Sequence, residues 1–148
     1  MIKTDGRPPT ILVAEDEEDN LFVMKMLLEL RGYRVVVAMN GSEVLAVAAR
    51  ERPDLILMDL RMPLLNGLAA TRQLRQHQLS HLRRVPVIAL SAYDPAQHRN
   101  VALAAGCDAY ATKPIDYDQL ERLINDLLRA GADGAPPDLT AAGDELAI

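Results

Sequence analysis

The amino-acid sequence predicts a doubly wound α/β domain, with a five-stranded parallel sheet and five helices. Three observations support this prediction. Short apolar runs recur along the chain, amphipathic helical stretches alternate with them, and turn-forming Gly, Pro and Asn-Gly lie between the two. A length of 148 residues suits one such domain. We predict a leader over residues 1–9, the domain over residues 10–130 and a flexible acidic tail over residues 131–148.

Five short apolar runs are predicted as strands. Three of them are rich in β-branched residues and almost wholly apolar, which is typical of strands buried on both faces of a sheet. Since helical stretches separate them, the strands should pair in parallel through right-handed crossovers. The runs are Ile11–Ala14, Val35–Ala38, Leu55–Met58, Val85–Leu90 and Ala109–Ala111.

The helices are predicted from apolar residues that recur at helical spacing. The last is the clearest, because Asp116 can cap it and Gln119 follows three residues later as in a capping box. An Ala-rich stretch over residues 96–105 ends at Gly106, a typical residue after a helix end. Apolar side chains mark the other helices and the core face of the last: Leu21, Met24 and Leu28; Val44, Val47 and Ala48; Leu68, Thr71 and Leu74; Leu120, Leu123, Ile124, Leu127 and Leu128.

Composition excludes several classes of protein. Cys107 is the only cysteine, which excludes an internal disulfide and a cysteine-based zinc site. No apolar run has the roughly 18 residues that a membrane span needs, and the start of the chain does not resemble a signal peptide. The net charge of −5, with no Trp and one Phe, argues against nucleic-acid binding. We therefore expect a cytoplasmic protein. His77, His81 and the arginines at 72, 75, 83 and 84 are interpreted as solvated surface residues.

Polar side chains follow four of the predicted strands. Glu15 and Asp16 follow the first, Asp59 the third, Ser91 the fourth and Lys113 the fifth. Because ligands of parallel α/β sheets bind at the carboxyl ends of the strands, we expect these residues to lie together. Clustered carboxylates favour Mg²⁺, and a hydroxyl and an ammonium can hold phosphoryl oxygens. A carboxylate can also act as the nucleophile, which gives an aspartyl phosphate.

Four sequence segments, in order and at the strand ends, resemble the receiver domain of two-component response regulators. The resemblance covers residues 9–130 and implies the chemotaxis-type, flavodoxin-like (βα)5 fold. The segments are Ile11–Asp16; Asp54–Pro63 with Gly67; Ala89–Ala92; and Lys113-Pro114.

The resemblance implies a role for each candidate site residue. Asp59 would be the phosphoacceptor, Asp16 a direct Mg²⁺ ligand and Glu15 a ligand through water. The backbone carbonyl of Arg61 would complete the metal site. Arg61 and Tyr93 would also flank the phosphoryl group at positions that tune its lifetime.

The remaining expectations from the family concern the switch. Ser91 and Lys113 would bind the phosphoryl oxygens, and Tyr110 would turn inward when Ser91 moves toward the phosphate. The Lys113–Pro114 peptide bond would be cis. The segment between Asp59 and Ser91 is slightly long for the family, and the extra residues are predicted within residues 76–84.

The implied function is that of a single-domain regulator, like those of chemotaxis, sporulation or cell division, and most similar to the cell-division type. A histidine kinase or phosphotransfer protein would donate the phosphoryl group. The face formed by residues 91–130 would then signal to a downstream protein, without direct contact to DNA or membrane. Such a protein is a switch that assists its own phosphorylation and dephosphorylation, and a monomer or weak phosphorylation-dependent dimer.

Two alternatives remain open within the family, and two functions outside it are disfavoured. A receiver from a hybrid kinase and a phosphorylation-independent scaffold remain alternatives within the family. A flavodoxin-like electron carrier is disfavoured, because the acidic loop after the first strand would repel a flavin phosphate. A haloacid-dehalogenase-type phosphatase is disfavoured, because Leu60 and Arg61 follow Asp59 where that family has Asp-x-Asp. No Gly-rich dinucleotide or P-loop motif is present.

Overall fold

The computed structural model describes residues 6–62, 65–92 and 95–133. Strands and helices alternate along this part of the chain, as the sequence predicts. The strands are β1 (Thr10–Ala14), β2 (Arg34–Ala38), β3 (Leu55–Asp59), β4 (Val87–Ser91) and β5 (Ala109–Thr112). The helices are α1 (Glu18–Leu30), α2 (Gly41–Glu51), α3 (Gly67–Arg75), α4 (Ser80–Arg84), α5 (Pro95–Ala105) and α6 (Tyr117–Asp133).

The five strands form one parallel sheet in the order β2-β1-β3-β4-β5. Ile11 of β1, for example, pairs with Val35 on one side and Leu55 on the other. The strand order reverses direction between β1 and β3, and a doubly wound sheet has its ligand crevice at such a point. The predicted doubly wound fold is confirmed.

Two apolar cores cover the two faces of the sheet. Successive strand residues point to opposite faces, so Ile11 and Val13 belong to one core and Leu12 and Ala14 to the other. α1 and α6 cover the first face, whereas the second core includes side chains from α2, α3, α4 and α5. This arrangement explains why all residues of β1, β3 and β4 are buried.

The structure differs from the prediction in the number of helices and in several boundaries: β1 and β2 start one residue earlier than predicted, and β3, β4 and β5 end one residue later. The described residues contain six helices rather than five, because residues 76–84 include the short helix α4. This is the segment in which extra residues were predicted. β4 begins at Val87 rather than Val85, and α6 continues to Asp133, three residues into the predicted tail. The rest of that tail and the first five residues of the leader lie outside the described residues.

The predicted end of α5 and the predicted start of α6 are confirmed. Asp116 Oδ1 accepts hydrogen bonds from the backbone N–H groups of Asp118 (3.0 Å) and Gln119 (3.2 Å), which satisfies two free donors at the start of α6. Gly106 follows α5 with a φ of +111°, a conformation that favours glycine. Among the described residues, no helix has the length and apolarity needed to cross a membrane.

Arg75 is not the solvated side chain that the sequence analysis predicts. It ends α3, and its guanidinium donates to the backbone carbonyl oxygens of Gly106 (2.9 Å) and Val85 (2.8 Å). A third hydrogen bond, of 2.9 Å, joins it to Asp108 Oδ2. Asp108 in turn accepts from the N–H of Val87, the first residue of β4. The Arg75 side chain therefore ties α3 to the starts of β4 and β5.

We expect Arg75→Met to lower the free energy of unfolding by about 3 kcal/mol, because it leaves Asp108 and three carbonyl groups, those of Gly106, Val85 and Arg83, without their charged partner. Urea unfolding followed by circular dichroism measures this loss. Arg72→Met is the matched control, since Arg72 is exposed on the same helix. Equal stability of the two variants would show that the Arg75 hydrogen bonds contribute nothing net.

Candidate functional site

The carboxyl edge of the sheet brings together side chains from four strand ends. Glu15 follows β1, Asp59 and Ser91 end β3 and β4, and Lys113 follows β5. Glu15, Asp59 and Ser91 are buried polar residues in a region otherwise made of apolar strands, with exposed fractions of 1%, 4% and 2%. Buried polar groups cost stability unless they are paired, so this cluster needs an explanation.

Lys113 pairs with two of the carboxylates. Its Nζ lies 3.0 Å from Asp59 Oδ2 and 3.2 Å from Glu15 Oε2. Both bonds join residues that are far apart in sequence. Separately, the peptide bond between Lys113 and Pro114 is cis, as the resemblance implies. The ammonium group therefore neutralises part of the negative charge that the strands carry to this edge.

The pKa shifts agree with this charge distribution. Burial raises the pKa of Glu15, and the charge of Asp59 raises it further, while Lys113 opposes both effects. Burial alone would lower the pKa of Lys113, but hydrogen bonds and Coulombic attraction from Asp59 and Glu15 outweigh it, and the net pKa is raised. Lys113 therefore remains a cation at neutral pH, while the acidic groups repel each other.

Backbone groups fix the orientation of the carboxylates. The N–H of Arg61 donates to Asp59 Oδ1 at 2.9 Å, so the two Asp59 oxygens have different partners. The N–H of Glu17 donates to Glu15 Oε1 at 3.3 Å. Since the backbone holds both side chains, the carboxylates are pre-oriented before any ligand binds.

Three acids form a group whose chemistry suits Mg²⁺. Ligand oxygens of Glu15, Asp16 and Asp59 lie within 4.8 Å of one another, and no other described residues form such a group of three metal-ligating side chains. Glu15 and Asp59 are buried, whereas Asp16 is exposed and open to water. Hard carboxylate oxygens beside solvent match the preference of Mg²⁺ for a few protein ligands and several waters. The residues present therefore fit the ion.

The other predicted site residues have these positions. Ser91 lies at the same edge, and its carbonyl oxygen accepts from the N–H of Lys113 at 2.8 Å. Tyr110 of β5 is fully buried in the core beside α5, and it pairs with Ala89 of the neighbouring strand β4. Arg61 adjoins Asp59, but Pro63 of the motif and Tyr93 lie outside the described residues. His77 follows α3 and His81 lies in α4, and both are half-buried. The predicted solvated position is wrong for His81, because its Nε2 atom is buried and has no hydrogen-bond partner among the described residues.

Sequence reasoning missed two close backbone approaches near the site. A Cβ atom added to Gly67 would lie 2.4 Å from the carbonyl oxygen of Asp59 and 2.8 Å from Leu60 Cα. A Cβ added to Gly41 would lie 1.9 Å from the carbonyl oxygen of Leu65. An Asn before each glycine, Asn66 and Asn40, caps the following helix. This repeated Asn-Gly pattern is the signal that could have drawn attention to both glycines.

A parallel α/β sheet whose carboxyl edge carries three acids, two of them bound by one lysine, is suited to binding a phosphoryl group. The chain belongs to the response regulator receiver domain family, whose sequence model matches residues 11–125. The recognised segments and the strand order thus agree with the family.

Two curated relatives illustrate the match. The polar-differentiation response regulator DivK of Brucella anthropi is 36% identical over 121 residues, which cover 82% of this chain and 97% of DivK. The probable transcriptional regulatory protein TcrX of Mycobacterium tuberculosis is 34% identical over 129 residues, or 87% of this chain. The chain spans only about half of TcrX (53%).

A solved structure shares both the fold and the sequence pattern. The receiver domain of the sensor histidine kinase PA1611 from Pseudomonas aeruginosa has a TM-score of 0.75 and 37% identity. The alignment covers 82% of this chain and 98% of that one. That crystal structure has a magnesium ion coordinated in its active-site cleft.

Proposed function

We propose that this protein is a phosphorylation switch in which Asp59 accepts a phosphoryl group from a histidine kinase or a histidine phosphotransfer protein. The observation that carries the proposal is the buried Asp59 carboxylate, bound by Lys113 at 3.0 Å and grouped with Glu15 and Asp16. A buried nucleophile between a cation and two further acids suits phosphoryl transfer better than it suits a structural ion pair.

The transfer step balances without an external acid or oxidant. A carboxylate oxygen of Asp59 attacks the phosphorus of a phosphohistidine that is protonated on its other ring nitrogen, the P–N bond breaks, and neutral imidazole leaves with the bonding electron pair. The product is an acyl phosphate on Asp59. Hydrolysis of that bond by water returns the carboxylate and inorganic phosphate, which resets the switch. The site residues of the protein assist both its phosphorylation and its dephosphorylation.

Each residue of the site then has a definite task. Lys113 and the Ser91 hydroxyl are proposed to bind phosphoryl oxygens and so stabilise the charge that develops on them. The N–H of Arg61 holds one Asp59 oxygen at 2.9 Å, which leaves the other for attack after Lys113 shifts toward the phosphoryl group. Glu15, Asp16, Asp59 and the carbonyl of Arg61 would hold Mg²⁺. When bound, this ion neutralises negative charge on the transferring oxygens.

The switch itself is proposed to use Ser91 and Tyr110. Ser91 ends β4, and Tyr110 lies in β5, the neighbouring strand, with a fully buried side chain. Tyr110 is already inward in this structure, and movement of Ser91 toward a phosphoryl group would leave space beside it that further stabilises this position. The face formed by residues 91–130 would thereby change between two arrangements and be read by a partner protein.

The likeness to the receiver of a sensor histidine kinase supports a second candidate, a receiver that works within a hybrid kinase. The phosphoacceptor chemistry is the same in both cases, and only the source of the phosphoryl group and the receiving partner differ. The phosphorylation-independent scaffold is disfavoured, since a degenerate site would lack one or more of Asp16, Asp59 and Lys113. Cytoplasmic location, the absence of DNA binding and a monomeric or weakly dimeric state remain predictions.

The proposal is tested by incubating the protein with acetyl phosphate, with and without Mg²⁺. We expect one covalent phosphoryl group per chain in the presence of Mg²⁺, detected as a mass increase, and none in excess EDTA. Peptide mapping after borohydride reduction should locate it at Asp59. Labelling at another residue, or labelling that is equally fast in EDTA, would contradict the proposal.

A further inference from the structure

Gly41, the first residue of α2, is packed against the backbone of the segment that joins β3 to α3. It is buried, and an added Cβ would lie 1.9 Å from the Leu65 carbonyl oxygen and 2.6 Å from the Leu65 carbonyl carbon. Contacts this short do not occur, so any side chain at position 41 must displace one of the two backbones. Only glycine permits the observed separation.

The requirement for glycine comes from space and not from backbone conformation. The described glycines with positive φ are Gly6, Gly32 and Gly106, and Gly41 is not among them. The start of α2 is also fixed. Asn40 Oδ1 accepts from the N–H of Glu43 at 2.9 Å, and Glu43 Oε2 accepts from the N–H of Met39 at 2.7 Å. Since these two hydrogen bonds hold the helix end, the segment at Leu65 is the part that must yield.

That segment is attached to the phosphoacceptor at both of its ends. It starts at Leu60 and Arg61, whose N–H binds Asp59 Oδ1. At its other end, Gly67 lies against the backbone of Asp59 and Leu60, and its N–H donates to the Leu60 carbonyl oxygen at 3.3 Å. Gly41, which belongs to α2 and not to this segment, makes a third contact with it, at the backbone of Leu65. A shift of Leu65 therefore acts, through the adjoining Gly67, on the backbone of Asp59 and Leu60.

We infer that Gly41 is a positioning residue for the phosphoacceptor site: it lets α2 hold Leu65 so that Arg61 and Asp59 keep the geometry needed for Mg²⁺ binding and phosphoryl transfer. The inference rests on the proposed function of Asp59. Gly41 touches no reacting atom, and it acts through the β3–α3 segment. Residues that orient metal ligands in this indirect way commonly change metal affinity when they are replaced.

The test compares Gly41→Ala with the unmodified protein in two measurements. The initial rate of labelling by acetyl phosphate, measured over a range of Mg²⁺ concentrations, should show an apparent Mg²⁺ dissociation constant raised about tenfold. In Mg²⁺-free protein, the amide NMR signal of Arg61 should shift, because its hydrogen bond to Asp59 is disturbed. If Gly41 served only the stability of the fold, neither the apparent Mg²⁺ dissociation constant nor the Arg61 amide signal would change in the folded protein.

Three further variants make the result decisive. Ser42→Ala, an exposed neighbour in the same helix turn, should label as the unmodified protein does. Arg75→Met is destabilised at the other end of the sheet and should keep the Mg²⁺ dependence of the unmodified protein. Leu65→Gly frees the segment without changing α2, so it should weaken Mg²⁺ binding even if Gly41→Ala fails to fold.

Two outcomes would overturn the inference. One is an unchanged Mg²⁺ dependence in a folded Gly41→Ala protein, or in Leu65→Gly where Gly41→Ala does not fold. The other is a loss in Arg75→Met as large as the loss in Gly41→Ala. Absence of labelling in the unmodified protein would instead contradict the proposed function, so the two failures are distinguishable.

Discussion

Asp59→Asn protein is expected to acquire no covalent phosphoryl group from acetyl phosphate at any Mg²⁺ concentration. The amide keeps the size and most contacts of the carboxylate, including acceptance of the Arg61 N–H, but it lacks the negatively charged oxygen that attacks phosphorus. Labelling should therefore fall below detection rather than slow by a modest factor. Intact-protein mass spectrometry measures the phosphorylated fraction against time.

Asp19→Asn is a suitable control for the loss of one negative charge. Asp19 lies exposed in the first turn of α1, close in sequence to Asp16 but outside the metal-ligating group. Its labelling rate should stay within about twofold of the unmodified rate, because exposed charges are screened by salt. A labelled Asp59→Asn protein would show that another residue can accept the phosphoryl group.

Lys113→Met should have the second-largest effect. The variant removes the cation that contacts both Asp59 and Glu15, so the labelling rate should fall about 100-fold, as is typical when one stabilising donor of a transition state is lost. The free energy of unfolding in the absence of Mg²⁺ should fall by about 3 kcal/mol, because two buried carboxylates are left without a counter-charge. Quenched time courses of labelling give the rate, and urea unfolding gives the free energy of unfolding.

Lys25→Met separates these effects from the loss of a lysine as such. Lys25 forms an exposed ion pair with Glu29 on α1, and exposed pairs contribute little to stability. Both its labelling rate and its unfolding should be close to those of the unmodified protein. If Lys113→Met were labelled at the unmodified rate, the cation would have no part in transfer, and the site would need another source of positive charge.

The fold could be predicted from the sequence because its strands are buried on both faces. Strands such as β3 and β4 are continuous apolar runs, and the helices between them leave parallel pairing as the simplest topology. The site followed from the same reasoning. Once the strands are parallel, whatever comes directly after each of them must meet at one edge, and here that includes Glu15, Asp59, Ser91 and Lys113.

Other features could not be predicted, because they depend on distances that a sequence does not contain. Nothing local shows that Lys113 divides its bonds between Glu15 and Asp59, which lie 98 and 54 residues away. Likewise, Arg75 resembles any arginine in a basic stretch until its carbonyl partners are known. Helix α4 escaped prediction because five residues carry too little periodicity to be recognised.

The Arg75 hydrogen bonds lie at the starts of β4 and β5, whereas the phosphoacceptor Asp59 pairs with Leu90, near the end of β4. Three residue steps along β4, from Val87 to Leu90, separate the two by about 10 Å. Free-energy changes at sites so far apart usually add, without a coupling term. Substitutions at the amino edge of the sheet can therefore change the free energy of unfolding without changing the chemistry at the carboxyl edge. Engineering a more heat-stable protein in this way need not slow phosphoryl transfer.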